Sequence, residues 1–314
     1  MSLITNTIRF WTYLSLDIPS ILCSSFVLYH ILITRAARQN LQNHVIIVLL
    51  FLVLIQNLAI MPFYLYYFQY KGIWKRSAIF CQIWGFTDSI CSMLQVILFA
   101  WTSIERHILI FNSAFLATKL KRLLFHYAPL VILILIVIIY FLIIIFFPTC
   151  QNLHDNSQPL CVYPCVYVGT RILLVELIVY LTLPGLIIFT FSIALLIRII
   201  QQKYRIHHRI QWRNHRKSII QTVLISILYF LFTFPYAITN LFIMLGYRTY
   251  LTLNLSGYLN FFYCFTYFLL PFVCILSLSN LKMKLREVFC LVRRQAIVHP
   301  LVISASRPLP RIDS

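Results

Sequence analysis

Acidic side chains are scarce in this sequence, and two of them lie inside long apolar stretches. The chain has 314 residues and only seven Asp and Glu residues. Ser92 and Gln95 follow Asp88 at four and seven positions, which places the three on one face of a helix. Glu176 lies in another apolar stretch. Because an unpaired charge in a bilayer costs at least about 2.5–3.5 kcal/mol, these carboxylates predict a polar cavity or a cationic partner.

The composition indicates that lipid is the solvent around these groups. Hydrophobic residues make up 61% of the chain and charged residues 11%, with a mean hydropathy of +0.88. The uncharged run 131–148 is long enough to cross a hydrocarbon layer of about 30 Å as a helix. Strands of a membrane barrel would alternate apolar and polar residues instead. The predicted fold class is therefore an all-α membrane protein.

Seven apolar blocks predict a seven-transmembrane helix bundle over 12–277. They lie near 12–34, 44–68, 78–110, 123–147, 171–200, 216–245 and 250–277. An orientation with the N-terminus outside places 20 of the 26 Lys and Arg residues on the inner side, as the positive-inside rule requires. This orientation predicts a short extracellular segment at 1–11 and a cytoplasmic C-terminus.

Basic and apolar residues alternate at helical spacing after the seventh block. This pattern predicts an amphipathic helix at 279–291 on the anionic lipid of the inner leaflet. Cys290 in it is either a palmitoylation site or an ordinary buried thiol. The segment 292–314 is expected to be a disordered cytoplasmic tail.

Other functional classes find little support in the sequence. The net charge of +19 is spread between the apolar blocks, which argues against nucleic-acid binding. Acids lie mostly toward one side and histidines toward the other, so no catalytic set is predicted and the chain is not expected to be an enzyme. Adjacent His207 and His208 would point apart on a helix, so neither a metal nor a cofactor is expected.

Four cysteines fall on the predicted outer face: Cys81, Cys150, Cys161 and Cys165. An oxidising compartment permits disulfides there, and four cysteines allow three pairings. The sequence alone does not choose among them.

Several spacings resemble those of the rhodopsin-like (class A) G-protein-coupled receptors. Arg106, in the triplet Glu105-Arg106-His107, follows Cys81 by 25 positions, and Trp74 precedes Cys81 by seven. Further matches are Pro184, Pro235-Tyr236 and Pro271 in the fifth, sixth and seventh blocks. The resemblance covers roughly 12–291.

This resemblance implies roles for particular residues. It implies a disulfide from Cys81 to Cys165, or alternatively to Cys161. It places Glu105, Arg106, His107, Pro235 and Pro271 in coupling to a heterotrimeric G protein. Asp88 stands 18 residues before Arg106, where members of the family bind ligand cations, and Glu176 matches another pocket position. The expected ligand pocket consists of Asp88, Ser92, Gln95, Glu176, Phe234 and Tyr236.

The sequence also departs from the family pattern. Residues 51–54 contain no sodium-site acid, Thr233 replaces a tryptophan, and Leu270 precedes Pro271 where the family has asparagine. The start of helix six has no acid to restrain Arg106, which predicts raised basal signalling.

The resulting functional expectation is a plasma-membrane receptor. It would transduce the binding of an extracellular cationic ligand, a peptide or an amine, to a G protein. The alternatives are a multi-pass transporter or channel, which requires a continuous polar path, and a seven-helix receptor that no longer couples.

Overall fold

The computed structural model of the chain is a bundle of long apolar helices. It describes residues 5–70, 77–111, 118–154, 161–168, 171–205 and 209–277. Within these ranges, seven helices are long and apolar enough to cross a membrane. These spans, called helix one to helix seven, are Asn6–Ile33, Leu41–Tyr70, Ala78–Leu109, Lys119–Phe146, Ile172–Arg198, Ile219–Met244 and Tyr250–Ile275. The predicted all-α, multi-pass membrane fold is confirmed.

Several helix ends differ from the sequence prediction. Helix one begins at Asn6 rather than near 12, because the side chain of Thr5 accepts a bond from the Ile8 amide and caps it. Part of the segment expected to be extracellular is therefore helical. The basic connection between helices five and six is also mostly helical, in Leu183–Arg205 and Arg209–Leu228. Trp74, Cys290, 279–291 and 292–314 lie outside the described residues.

Four helices contain a wide π-helical turn, and each such turn ends two residues before a proline. The turns are Gln56–Ile60, Leu123–Tyr127, Leu177–Thr182 and Tyr229–Thr233, before Pro62, Pro129, Pro184 and Pro235. A proline ring clashes with the carbonyl group four residues earlier in an α-helix. In all four cases that carbonyl belongs to the π-turn, which gives the ring room.

The bundle has an inward core and an outward apolar face. Val27, Leu49, Leu98 and Phe99 are fully buried where helices one, two and three meet. On helix four, by contrast, side chains such as Ile132, Leu135, Ile136, Ile139 and Ile143 are exposed. In a bilayer this surface contacts lipid tails, so its exposure carries no penalty of the kind it would have in water.

A disulfide-linked hairpin covers one end of the bundle, which we call the outer end. Strand β1 (Leu153–His154) pairs antiparallel with strand β2 (Val162–Tyr163). Cys81 of helix three is bonded to Cys161, with a Cα–Cα distance of 5.4 Å. A second disulfide joins Cys150 to Cys165, with a Cα–Cα distance of 5.9 Å.

The first expectation for the Cys81 disulfide, Cys165, is therefore wrong, and the alternative, Cys161, is the partner. The cause is the hairpin. Val162 is buried against helix three at Gly85, where any Cβ atom would overlap its side chain, so the preceding Cys161 reaches Cys81. The amide of Cys165 donates to the Asn152 side chain at 3.1 Å, which keeps Cys165 close to Cys150.

Candidate functional site

A cavity of about 770 Å³ opens beneath the hairpin at the outer end. Side chains from helices one, two, three, five, six and seven line it, together with β2. Four of the six residues predicted for the ligand pocket are among them: Asp88, Ser92, Glu176 and Tyr236. The volume lies within the usual range of about 300–1,000 Å³ for small-molecule sites.

Asp88 of helix three accepts hydrogen bonds from two neutral groups on helix two. The Gln56 amide donates to Oδ1 at 2.8 Å, and the Tyr64 hydroxyl donates to Oδ2 at 3.4 Å. Gln56 opens the first π-turn, which sets the direction of its side chain. Because amides and phenols carry no charge, these bonds orient the carboxylate without neutralising it.

Tyrosines of helices six and seven form a second wall of the cavity. The Tyr267 hydroxyl lies 3.0 Å from Ser92 Oγ and 2.8 Å from the Tyr263 hydroxyl. The rings of Tyr236 and Tyr263 lie 5.3 Å apart. All of these residues line the cavity with Asp88. An aromatic wall beside a carboxylate suits an organic cation, since ring faces attract positive charge.

Glu176 supplies the second carboxylate, from helix five. It accepts hydrogen bonds from the hydroxyls of Tyr140 on helix four, at 2.9 Å, and Tyr167 in the loop, at 2.6 Å. Burial and the nearby Glu176 carboxylate raise the pKa of the Tyr167 hydroxyl well above its ordinary value. Tyr167 therefore keeps its proton and remains a donor. Like Asp88, Glu176 is oriented by neutral groups.

Two residues predicted for the pocket lie elsewhere. Gln95, only 2% exposed, lies about two turns below Asp88 within the bundle and outside the cavity lining. Phe234 packs against the rings of Phe230 and Tyr229, at centroid distances of 5.2 and 6.3 Å. Both placements correct the sequence prediction. Phe234 directly follows the π-turn of helix six, and the extra residue in that turn directs Tyr236 into the cavity instead.

Arg106 lies at the opposite, inner end of helix three and is fully buried. Its guanidinium donates to Gln42 of helix two, at 2.9 Å to the side chain and 3.0 Å to the backbone carbonyl. It also donates to Oε1 of Gln221 on helix six, at 3.4 Å. The sequence suggested no restraint on Arg106 from helix six, so Gln221 is an unexpected one.

The other residues of the predicted coupling set are spread along the bundle, from its inner end to the level of the outer cavity. Glu105 forms an ion pair with His126 of helix four. The His107 ring meets Phe191 of helix five edge to face at 5.8 Å. Pro235 follows the π-turn of helix six, and Pro271 lies inside the last helical segment, Phe265–Ser277. Glu105 and His107 thus connect helix three to helices four and five, and the five residues do not form one compact cluster.

Sequence reasoning missed several polar partners that the structure identifies. Gln56, His126 and Gln221 are buried polar residues in apolar helices, and that property is a signal for functional contacts. Asp17 of helix one is also buried, and its Oδ1 has no hydrogen-bond partner among the described residues. Nor does the described part of the chain bring three metal-ligating His, Cys, Asp or Glu residues together.

Comparison with known proteins agrees with this architecture. Residues 24–278 match the family described as 7 transmembrane receptor (rhodopsin family). A search of curated proteins found no match. The match spans most of the chain and includes the disulfide cysteine of helix three, most of the residues that line the outer cavity, and Arg106. The chain belongs to the rhodopsin family of seven-transmembrane receptors.

Proposed function

We propose that this receptor binds a cationic ligand, an amine or a basic peptide, in the outer cavity and transmits the binding to a heterotrimeric G protein. The observation that supports it best is the presence of two carboxylates, Asp88 and Glu176, in one cavity. Each accepts its hydrogen bonds from neutral donors. A ligand cation therefore meets carboxylates that neutral donors have already oriented.

Among the described residues, the lining of the cavity includes one cation, Arg9 of helix one, and its contacts favour this proposal. The Arg9 guanidinium lies 5.7 Å from the centroid of the Phe68 ring and donates to the Gly257 carbonyl at 3.4 Å. These groups hold it at the helix one and seven side. A peptide carboxylate would pair with Arg9, whereas a simple amine would use Asp88 and the tyrosine wall.

Transmission to the inner end is proposed to proceed through helix three. The same helix carries Asp88 in the cavity and Arg106 at the inner end. Arg106 is held to helices two and six by the neutral side chains of Gln42 and Gln221. A ligand that shifts helix three or helix six changes these bonds, and the opened cleft binds the G protein on the cytoplasmic side.

The test begins with a screen of amines and short basic peptides on cells that express the receptor at the plasma membrane. For an agonist found there, Asp88→Asn is expected to cost about 2 kcal/mol or more, a loss of affinity of roughly 30-fold. Arg106→Ala is expected to abolish G-protein activation and to leave binding in the absence of G protein unchanged.

Matched controls separate these effects from misfolding. Asp17→Asn removes a buried carboxylate that does not line the cavity, and Arg35→Ala removes an exposed inner arginine. Both should bind and signal like the wild type at equal surface expression. An unchanged affinity in Asp88→Asn would show that the ionic contact is wrong, and full activation in Arg106→Ala would contradict the proposed transmission.

A further inference from the structure

The outer cavity is lined by residues of both charges, and the two signs come from different helices. Asp88 and Glu176 line it from helices three and five, and Arg9 lines it from helix one. Among the described residues of the lining, these three are the only ones of a charged type. A ligand that matches the cavity therefore presents positive charge to helices three and five and negative charge to helix one.

Arg9 extends into the bundle between helices two and seven. Its guanidinium lies 5.7 Å from the centroid of the Phe68 ring on helix two and donates to the Gly257 carbonyl of helix seven at 3.4 Å. The Phe68 side chain is buried, so the arginine that covers it faces the interior of the bundle. An arginine at a membrane edge commonly extends to lipid phosphate instead. The contacts of Arg9 therefore favour a partner inside the cavity.

Most of the hydrogen-bonding capacity of Arg9 is unused. A guanidinium has five N–H donors, and the bond to Gly257 uses one of them. Nε is buried without a hydrogen-bond partner among the described residues, and none of the acids there forms an ion pair with Arg9. A buried donor without an acceptor and a cation without an anion both cost free energy. A carboxylate meets both needs, because its two oxygens can accept from two N–H groups of one guanidinium.

Helix two indicates how far Arg9 lies from Asp88. The Tyr64 hydroxyl donates to Asp88, and Phe68, one turn further along the same helix, contacts Arg9. The centroids of the Tyr64 and Phe68 rings lie 6.4 Å apart. The two charges are therefore separated by about one helical turn or more, roughly 5 Å. An α-amino acid, with its ammonium and carboxylate on one carbon, is too short to reach both, whereas a dipeptide or a longer ω-amino acid is long enough.

We propose that the ligand is dipolar, with a cationic group that meets Asp88 and a carboxylate that pairs with Arg9. A short peptide with a cationic group and an unblocked carboxyl terminus has this chemistry. The cationic half of the assignment rests on the proposed function, and the anionic half rests on the contacts of Arg9. Arg9 is then the residue that distinguishes a peptide acid from its amide.

The test uses matched probes that differ only at the anionic end. They are linear ω-amino acids of increasing length and lysine-containing dipeptides, each prepared as the free carboxylate and as the primary amide. Binding to the purified receptor in lipid nanodiscs is measured by the rise in thermal midpoint with probe concentration, which requires no G protein. We expect at least one pair in which the wild type binds the carboxylate about tenfold more tightly than the amide.

Variants at Arg9 then assign this difference. Arg9→Gln should remove it by weakening the carboxylate and leaving the amide unchanged. Arg9→Lys keeps the charge and should retain part of the difference. Arg9→Glu should reverse the order, because two carboxylates repel each other. Arg171→Gln removes an exposed outer arginine outside the cavity lining, and as the control it should behave like the wild type.

The outcomes separate this inference from the proposed function. Asp88→Asn should weaken the carboxylate and the amide equally. If it weakens neither while the carboxylate still depends on Arg9, the cation site is wrong and the anion site stands.

Three results would overturn the dipolar ligand. They are equal binding of both members of every pair, a preference for the carboxylate that persists in Arg9→Gln, and no binding of any probe. The comparison of carboxylate and amide on the wild type decides even where a variant fails to fold.

Discussion

The outer and inner ends of helix three each carry an acid, and the two acids have different surroundings. Asp88 at the outer end faces a cavity of about 770 Å³ and is bonded to neutral groups. Glu105 at the inner end is enclosed by protein and paired with His126. A carboxylate that lines a cavity with neutral neighbours is available to an external cation. One that is enclosed and already paired holds helices together.

The second carboxylate of the outer cavity, Glu176, provides the first test of this comparison. If Asp88 and Glu176 both bind cations, a ligand with two cationic groups should bind more tightly than its singly charged analogue. Glu176→Gln should weaken the doubly charged ligand by about 1.4 kcal/mol, or roughly tenfold, and leave the singly charged one unaffected. Competition binding with a matched diamine and monoamine measures this. Equal losses for the two ligands would mean that Glu176 only supports the pocket wall.

The second test is at the inner end, where the contact between Gln221 and Arg106 is expected to restrain the helices and no ligand is involved. Gln221→Leu removes the bond from helix six to Arg106, which is worth about 1 kcal/mol. Basal signalling should therefore rise about fivefold. Basal nucleotide exchange at matched surface expression is the measurement, with Ile220→Val on the lipid-facing side as the control. An unchanged basal level would show that Gln221 does not restrain Arg106.

A third test concerns the stability of the hairpin over the outer cavity. A Cβ atom at Gly85 would overlap the Val162 side chain, so Gly85→Ala should destabilise the receptor by about 1–3 kcal/mol and lower its thermal midpoint. Gly257→Ala, where a Cβ would meet nothing within 4 Å, should have no comparable effect. The double change Gly85→Ala with Val162→Ala should recover part of the loss. A thermal melt of the purified protein decides, and equal midpoints for the two glycine variants would contradict the close packing.

The seven-helix bundle could be predicted well from the sequence because each membrane helix is a long apolar run, and helices exposed to water do not have such runs. The sequence also predicted that Asp88 and Glu176 line a polar cavity, since a charge inside an apolar run requires a polar environment. The contacts of His126 could not be predicted in the same way. The bond between His44 and His126 joins residues 82 positions apart, and only the packing of helices two, three and four brings them together.

The disulfide and the pocket lining show two further limits. Four outer cysteines allowed three pairings, and the contact between Val162 and Gly85 is what selects Cys161. Phe234 and Tyr236 were both expected in the pocket, and only Tyr236 lines it, because Phe234 directly follows a π-turn and packs against Tyr229 and Phe230. Tertiary contacts and local changes in helix geometry are therefore the information that the sequence patterns lacked.

The four prolines and their wide turns have one more consequence. One residue corresponds to about 100° of rotation in an α-helix, so an extra residue in a turn rotates everything above it relative to everything below. The outer halves of helices two, five and six are thus rotated about their axes relative to their own inner halves. The rotation at each π-turn therefore determines which side chains of the outer half face a ligand, and it does not change which side chains of the inner half face Arg106.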